Sequence, residues 1–261
     1  MGVNNGRVVA VVTLLTDFGT DDTYVGQVKG AILAVEPSAT LVDVTHAVPA
    51  QDIQAGAFLL WSAVEVFPAG TIHVAVVDPG VGSQRRSVVL RSGRGDLFVG
   101  PDNGLLIPAV DRLGGWREAV ELTQAKFWRP NVSDTFHGRD VFGPVAGHLA
   151  SGVPLTQLGR LITDPVHLSL PEPRGLVGEV VHVDAYGNLI TNLKAASLPP
   201  SYIVRLGDLR IPQATHYAEV DEGALLALVG SAGLLEISAR NTSADALTGA
   251  GRGTPISVEP G

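Results

Sequence analysis

Val76-Val77-Asp78-Pro79-Gly80-Val81-Gly82-Ser83-Gln84-Arg85-Arg86 closes an apolar run that begins at Ile72 and is interrupted only by His73. The run reads as a buried strand. Asp-Pro-Gly-Val-Gly cannot continue it, because proline donates nothing to a ladder and the glycines have no side chain to pack. A carboxylate therefore stands at the C-terminal tip of a buried strand, followed by a glycine-rich turn and two arginines. In open α/β sheets, ligands bind along that edge. Taken alone, the same residues also describe an ordinary turn with a strand-end aspartate and a solvated arginine pair.

The neighbouring sequence places this strand in a larger pattern. Upstream, residues 8–15 read as another buried strand, ending in Thr16-Asp17-Phe18-Gly19-Thr20-Asp21-Asp22. Residues 24–35 have helical spacing, with Val25, Val28, Ile32 and Leu33 on one face. A strand over 39–44 and a helix over 52–66 follow. Downstream, strands at 87–90 and 97–99 flank a short turn at 92–95. Helices are expected over 105–113 and 141–149. Strand–helix alternation of this kind predicts a three-layer α/β domain over 1–163 with a mostly parallel sheet. Residues 164–175 hold three prolines without periodicity and read as a linker. Beyond them, from 176 to 261, short apolar runs at 176–183, 189–192, 202–206, 225–229, 234–238 and 255–258 are separated by turn signals. They predict a smaller all-β, barrel-like domain without helices.

Composition narrows the partners. A net charge of −8 argues against nucleic acid or an anionic membrane. The absence of cysteine excludes disulfides, thiolate nucleophiles and cysteine zinc sites. The start, Met1 to Arg7, is polar and lacks a cleavage signal, and the apolar run 8–15 is far too short to span a bilayer. A cytoplasmic protein acting on a small molecule is expected. No Walker sequence, dinucleotide fingerprint, His-Glu-x-x-His or nucleophile elbow occurs, and the scattered Asp and His have no metal-ligand spacing.

Chemistry-bearing residues gather in few places. Asp17 stands at the tip of the first strand as Asp78 does at the third, so both carboxylates should face one cleft. At a strand tip, Asp17 can accept two hydrogen bonds from a vicinal diol; it can equally cap the helix that follows. In Phe136-His137-Gly138-Arg139-Asp140, His137 is the best acid–base candidate of the seven histidines, with His46 in reserve and His73, inside a strand, assigned to a core or interface role. Asp184-Ala185-Tyr186-Gly187-Asn188 is good hairpin-turn chemistry that also gathers a carboxylate, an aromatic ring and an amide. Gly230-Ser231-Ala232-Gly233-Leu234-Leu235-Glu236 forms a second turn–strand unit, with Asn241 soon after.

Six stretches together resemble the S-adenosylmethionine (SAM) hydroxide adenosyltransferases, relatives of the fluorinase and chlorinase. They are Thr16–Gly19, Val77–Gly82, Gly100–Gly104, Phe136–Asp140, Gly187–Asn192 and Gly230–Gly233, in the family's order and nearly end to end. The resemblance implies hydrolysis of SAM to adenosine and L-methionine by water or hydroxide attack at ribose C5′. It implies an α/β domain followed by a β domain, a homotrimer with sites at subunit interfaces, and no cofactor, since SAM is the substrate. It assigns Asp78, Arg85 and His137 as the catalytic triad and Asp17 to the ribose diol. Asp184, Tyr186, Asn188 and Ser231, with Glu236, are assigned to the adenine and methionine ends. The halogenases replace the Asp and His and carry an extra loop that this chain lacks, which places it in the water-using branch. Two positions depart from the pattern: Gln51 stands where the halogenases have an aromatic, and Ala232 where they have a basic residue. The alternatives are a non-catalytic adenosine- or SAM-binding protein and halide-dependent, chlorinase-like adenosyl transfer.

Overall fold

The computed structural model describes residues 3–4 and 7–261, with side chains from residue 9 onward. The reading of the first seven residues as a polar, uncleaved start falls largely outside them. The chain forms two compact units, Met1–Leu170 and Pro171–Gly261.

In the first unit, Val11–Thr16 (β1), Thr40–Thr45 (β2), Ile72–Val76 (β3), Ser87–Ser92 (β4), Leu97–Pro101 (β5), Trp116–Leu122 (β6) and Gly159–Leu161 (β7) share one sheet. Its order is β2-β1-β3-β5-β4-β6-β7. The β2, β1, β3 and β5 strands run parallel, and β4, β6 and β7 join antiparallel. The parallel strands are the ones whose carboxyl ends carry Asp17 and Asp78.

Side chains alternate across the sheet, so successive residues feed opposite cores. Leu14, Val74 and Val76 pack on one face with Val28, Ile32 and Val145. These belong to helices Tyr24–Leu33 (α1) and Gly143–Ala150 (α4). Leu15, Ala75 and Phe98 pack on the other face with Leu60 and Val110, from Ile53–Ala63 (α2) and Ile107–Arg112 (α3). Two helical layers around one sheet give the expected three-layer architecture. The α2 start is set by Asp52, whose Oδ1 accepts from Ala55 N at 3.0 Å.

Residues 164–170 have neither helix nor strand and lie along this unit. Arg86 Nη1 donates to Asp164 Oδ1 at 2.8 Å, and Val166 N donates to Asp102 Oδ1 at 2.8 Å. Leu168 and Leu170 pack against the α2–α3 core.

The second unit is a single antiparallel sheet of Val177–Val183 (β8), Leu189–Lys194 (β9), Tyr202–Leu206 (β10), Leu209–Pro212 (β11), Leu225–Val229 (β12), Leu234–Ala239 (β13) and Pro255–Pro260 (β14). The order is β11-β10-β14-β8-β9-β13-β12. Ala214 N, just past β11, donates to Ala227 O of β12 at 2.8 Å, so the two ends of the sheet meet and the barrel is nearly closed. Val180, Leu189, Val204, Leu235, Ile237 and Ile256 fill its core. A five-residue helix, Ala244–Thr248 (α5), was not expected from the sequence; Ser243 caps it by accepting from Ala246 N at 3.1 Å. Among the described residues, no helix is long and apolar enough to cross a membrane.

Candidate active site

The site on the first unit is built from the end of β3. Asn103 Nδ2 donates to Val77 O at 2.9 Å, while its Oδ1 accepts from Leu105 N at 3.2 Å. This fixes the strand end that presents Asp78. The turn then doubles back, with Val81 N on Asp78 O and Ser83 N on Gly80 O. Seven residues on, Arg85 meets Asp78 in a two-pronged pair. Arg85 Nε donates to Oδ1 at 2.9 Å and Nη2 to Oδ2 at 2.5 Å. Paired charge-assisted bonds of this kind fix orientation as well as distance. Nη1 adds a 2.8 Å bond to Ser87 Oγ. The two side chains expose only 10% and 6% of their surface, so this pair is not a solvated surface bridge.

His137 completes the cluster from a separate loop. Arg85 Nη2 lies 2.8 Å from His137 Nδ1. Two features hold that loop in place. Gly82 has φ +76°, and a Cβ there would overlap Asp134 O, so glycine permits the turn to lie directly against the loop. Asp140, fully buried, accepts from Ser133 N at 2.9 Å and from Arg139 Nε at 2.7 Å. Burial by itself would raise the Asp140 carboxyl, but the Arg139 and Ser133 bonds more than offset it and keep it below the usual carboxylate range. The backbone over Gly138–Phe142 is a π-helix, a local widening that recurs at functional sites.

The hydrogen bond to Arg85 fixes the His137 tautomer. A guanidinium has donors and no acceptor, so Nδ1 must be the accepting nitrogen and a neutral ring carries its proton on Nε2. Burial pushes the His137 pKa down, and the Arg85 charge pushes it further. His137 is thus a neutral ring whose one lone pair is already engaged. What it offers outward is an N–H.

Asp17 stands at the tip of the adjacent strand β1. Its Oδ2 accepts from Gln51 N at 2.8 Å, an amide aimed by a left-handed backbone at Gln51, φ +65°. The alternative that Asp17 caps α1 is not met, because Thr23 occupies that position. His46 is tied into the same loop: Thr16 Oγ1 lies 2.8 Å from its Nδ1, and Gly19 N donates to its carbonyl. Phe18, Tyr24 and Phe136 meet edge to face at 5.3–6.2 Å, joining the Asp17 loop to the His137 loop. His73 is in the core, as the sequence suggested, with Thr13 Oγ1 at 2.8 Å.

On the second unit, Asp184 folds the turn that follows β8. Its Oδ1 accepts from Tyr186 N and Asn188 N, and its Oδ2 from Asn188 Nδ2, each at 2.9 Å. That leaves Tyr186 80% exposed. Tyr186 and Asn188 line a cleft of about 510 Å³ with Tyr217, Asn241, Thr242 and Ser243. Glu236, almost fully buried, reaches the cleft through Tyr217, whose hydroxyl donates to Oε1 at 2.9 Å; Ser238 Oγ donates to the same oxygen at 2.7 Å. Ser231 lies apart, exposed in the turn closed by Gly233 N on Gly230 O. Sequence reasoning missed Tyr217, Thr242 and Ser243. The signal available was weak: an aromatic inside the polar run Thr215-His216-Tyr217-Ala218-Glu219.

The first unit thus carries an Asp–Arg–His cluster beside its strand tips, and the second, a nearly closed β unit, carries a cleft with two tyrosines. The family models for the SAM hydroxide adenosyltransferase N-terminal and C-terminal domains match residues 12–159 and 178–257, and the chain belongs to that family. It is 40% identical over 259 residues to a protein of Salinispora arenicola named (R)-S-adenosyl-L-methionine hydrolase, covering 96% of this chain and 98% of that one. It is 29% identical over 284 residues to a fluorinase of Nocardia brasiliensis, covering 93% and 94%. Its fold matches the crystal structure of an uncharacterized conserved protein from Thermotoga maritima, with TM-score 0.89 and 33% identity, over 95% of this chain and all of the other.

Proposed function

We propose that this protein hydrolyses S-adenosyl-L-methionine to adenosine and L-methionine, by attack of water or hydroxide on ribose C5′. One observation carries the reading: Arg85, clamped by Asp78, donates to His137 in a chain related along its length to a named SAM hydrolase. That relative's name specifies the R form, and the R epimer at sulfur is the substrate carried over to this chain.

A sulfonium is a strong leaving group, because its departure discharges it, and a dry site favours that discharge. Water is the weak partner, so the triad acts on water. His137 Nε2–H donates to the water oxygen and holds it. Each Asp78 oxygen keeps a lone pair beyond the one given to Arg85, so Asp78 accepts a water hydrogen and turns the oxygen toward C5′. Arg85 fixes the Asp78 carboxylate and the His137 ring around that water. Once the C–O bond forms, the oxygen is an acidic oxonium, and its proton passes along the existing hydrogen bond to the Asp78 carboxylate and from there to bulk water.

Asp17, with one oxygen anchored by Gln51 N, presents the other to the ribose diol. The Tyr186 and Tyr217 rings and the Asn188 amide suit a planar purine with polar edges. Asp184 shapes that loop, and Ser231 and Glu236 are assigned to the ligand's polar ends. The bond from Gln51 to Asp17 comes from the backbone N–H, so it does not depend on the side chain at the position where the halogenases have an aromatic. No separate cofactor takes part. We place the enzyme in the cytoplasm as a homotrimer with its sites at subunit interfaces.

The test is chromatography with mass detection of purified protein and SAM in oxygen-18 water, with and without chloride. Label in the adenosine 5′-hydroxyl is the expected result, with no chlorinated nucleoside. Intact SAM beside stoichiometrically bound ligand would make this a binding protein. A 5′-chloro product would move it to the halide-using branch.

A further inference from the structure

We propose that a second cleft on the first unit, between α1 and α4, binds a small carboxylate bearing an apolar arm. This inference stands independently of the hydrolase reading. The cleft measures about 400 Å³ and is lined by Gly30, Ala34, Trp128, Arg129, Pro144 and His148, among others.

Three observations converge on it. The first is a glycine in its wall. Gly30 lies in the middle of α1, where glycine is disfavoured by about 1 kcal/mol relative to alanine. Its neighbours do not demand it, because a Cβ there would meet nothing within 4 Å. What glycine preserves at this position is open space.

The second is a set of unmatched donors. Trp128 Nε1 is buried, and no protein acceptor reaches it. Arg129 is half exposed, and its nearest carboxylate oxygen, on Asp140, is 3.6 Å from Nη1, beyond hydrogen-bonding range. Asp140 is already engaged by Arg139 Nε and Nη2 and by Ser133 N. Arg139 has three of its five N–H donors engaged, since its Nη1 also donates to Gln27 Oε1 at 2.9 Å. Arg129 is thus the guanidinium of this cleft with the most donors left to give.

The third is charge and surface. Arg129 and Arg139 against Asp140 leave one net positive charge, which matches a monoanion. A planar carboxylate fits the guanidinium fork. The remaining walls, Trp128, Pro144 and the small α1 residues, suit an apolar arm. His148 packs its ring against Phe127 at 5.0 Å, and burial keeps its pKa low, so the ring adds no second charge.

The experiment uses the full chain labelled with 5-fluorotryptophan and titrated with benzoate in the absence of SAM. Fluorine NMR then resolves the three tryptophans, Trp61, Trp116 and Trp128, assigned with Trp128→Phe. A saturable shift of the Trp128 signal alone is expected at millimolar benzoate. It should be lost in Arg129→Gln and in Gly30→Leu, which fills the open space beside Gly30 without removing a donor. An unmoved Trp128 signal overturns the proposal, as does a shift that survives Arg129→Gln. So does a changed sedimentation state in Gly30→Leu with the benzoate shift intact, because the cleft would then seat another protein copy. No readout depends on turnover, so failure of the hydrolase reading leaves this result interpretable.

Discussion

Replacing His137 in a graded series separates a histidine that holds water from one that removes its proton. The structure spends Nδ1 on Arg85 Nη2 at 2.8 Å, leaving Nε2–H as the outward group. His137→Ala removes a donor aimed at the reacting oxygen in a water-excluded site, a loss of about 10²–10³ in rate, or about 3–4 kcal/mol. His137→Gln carries an amide N–H to about the place of Nε2 and cannot act as a base. It should recover all but roughly tenfold of the rate, the ~1.4 kcal/mol expected of imperfect placement. His137→Asn puts its carbonyl near Nδ1, keeps the Arg85 contact and lacks the outward donor, so it should fall between the two. The assay is single-turnover formation of adenosine at saturating SAM, which avoids any slow release of product. Equal residual rates in Ala, Asn and Gln would refute the reasoning, because only a proton-accepting histidine predicts one common floor.

Gly82→Ala should lower stability by about 1–2 kcal/mol for the left-handed backbone alone, and push the Asp134 carbonyl and the His137 loop outward. Turnover should fall while adenosine affinity, measured by calorimetry, holds; an unchanged rate would show that the turn does not position His137. Asp17→Ala removes a charged acceptor of two diol hydroxyls and should weaken adenosine binding by roughly 10–100-fold, at about 1.5–3 kcal/mol for such bonds; unchanged affinity would remove Asp17 from the ribose site. Stability should fall on acidification through His73. Burial lowers its pKa in the folded state, so below about pH 6.5 the unfolded chain takes up a proton that the folded chain refuses, worth up to about 1.4 kcal/mol per pH unit. Denaturant melts from pH 7 to 5 should therefore show the stability gap between wild type and His73→Phe narrowing as pH falls; a constant gap would contradict the assignment.

The legibility of the sequence followed where burial was one-sided or complete. β3 was plain because all five of its residues are buried, and α2 because Asp52 caps it and apolar residues crowd its length. β6 was missed. Its sequence, Trp-Arg-Glu-Ala-Val-Glu-Leu, carries three charges, and charged side chains lower any strand signal read from apolarity. Cross-strand pairing supplies the missing reason, since Arg91 pairs with Glu118 and Arg160 with Glu121. β11 was missed because Leu209 and Arg210 face solvent and leave no alternation to read. In the site, Asp78 was legible from its strand tip alone, whereas joining it to His137 came from the family resemblance. The π-helix that carries His137 into place has no local sequence signature, and it depends on Asp140 gathering Ser133 and Arg139 around one buried carboxylate. Tyr217 was invisible because its role rests on Glu236, nineteen residues away.

On the proposed mechanism, the arrangement of Asp78, Arg85 and His137 follows from what the leaving group demands. Were the departing group an alkoxide, the site would need an acid for it and a base for water, with pKa values set apart by their surroundings. A sulfonium leaves as a neutral thioether and needs no acid. What remains is to place a water molecule and tolerate positive charge on its oxygen until a proton departs. A salt-bridged arginine and an imidazole locked as a donor suit the first task, and a carboxylate with spare lone pairs suits the second. On the proposed mechanism, water is held against C5′ by the His137 Nε2–H that Arg85 orients.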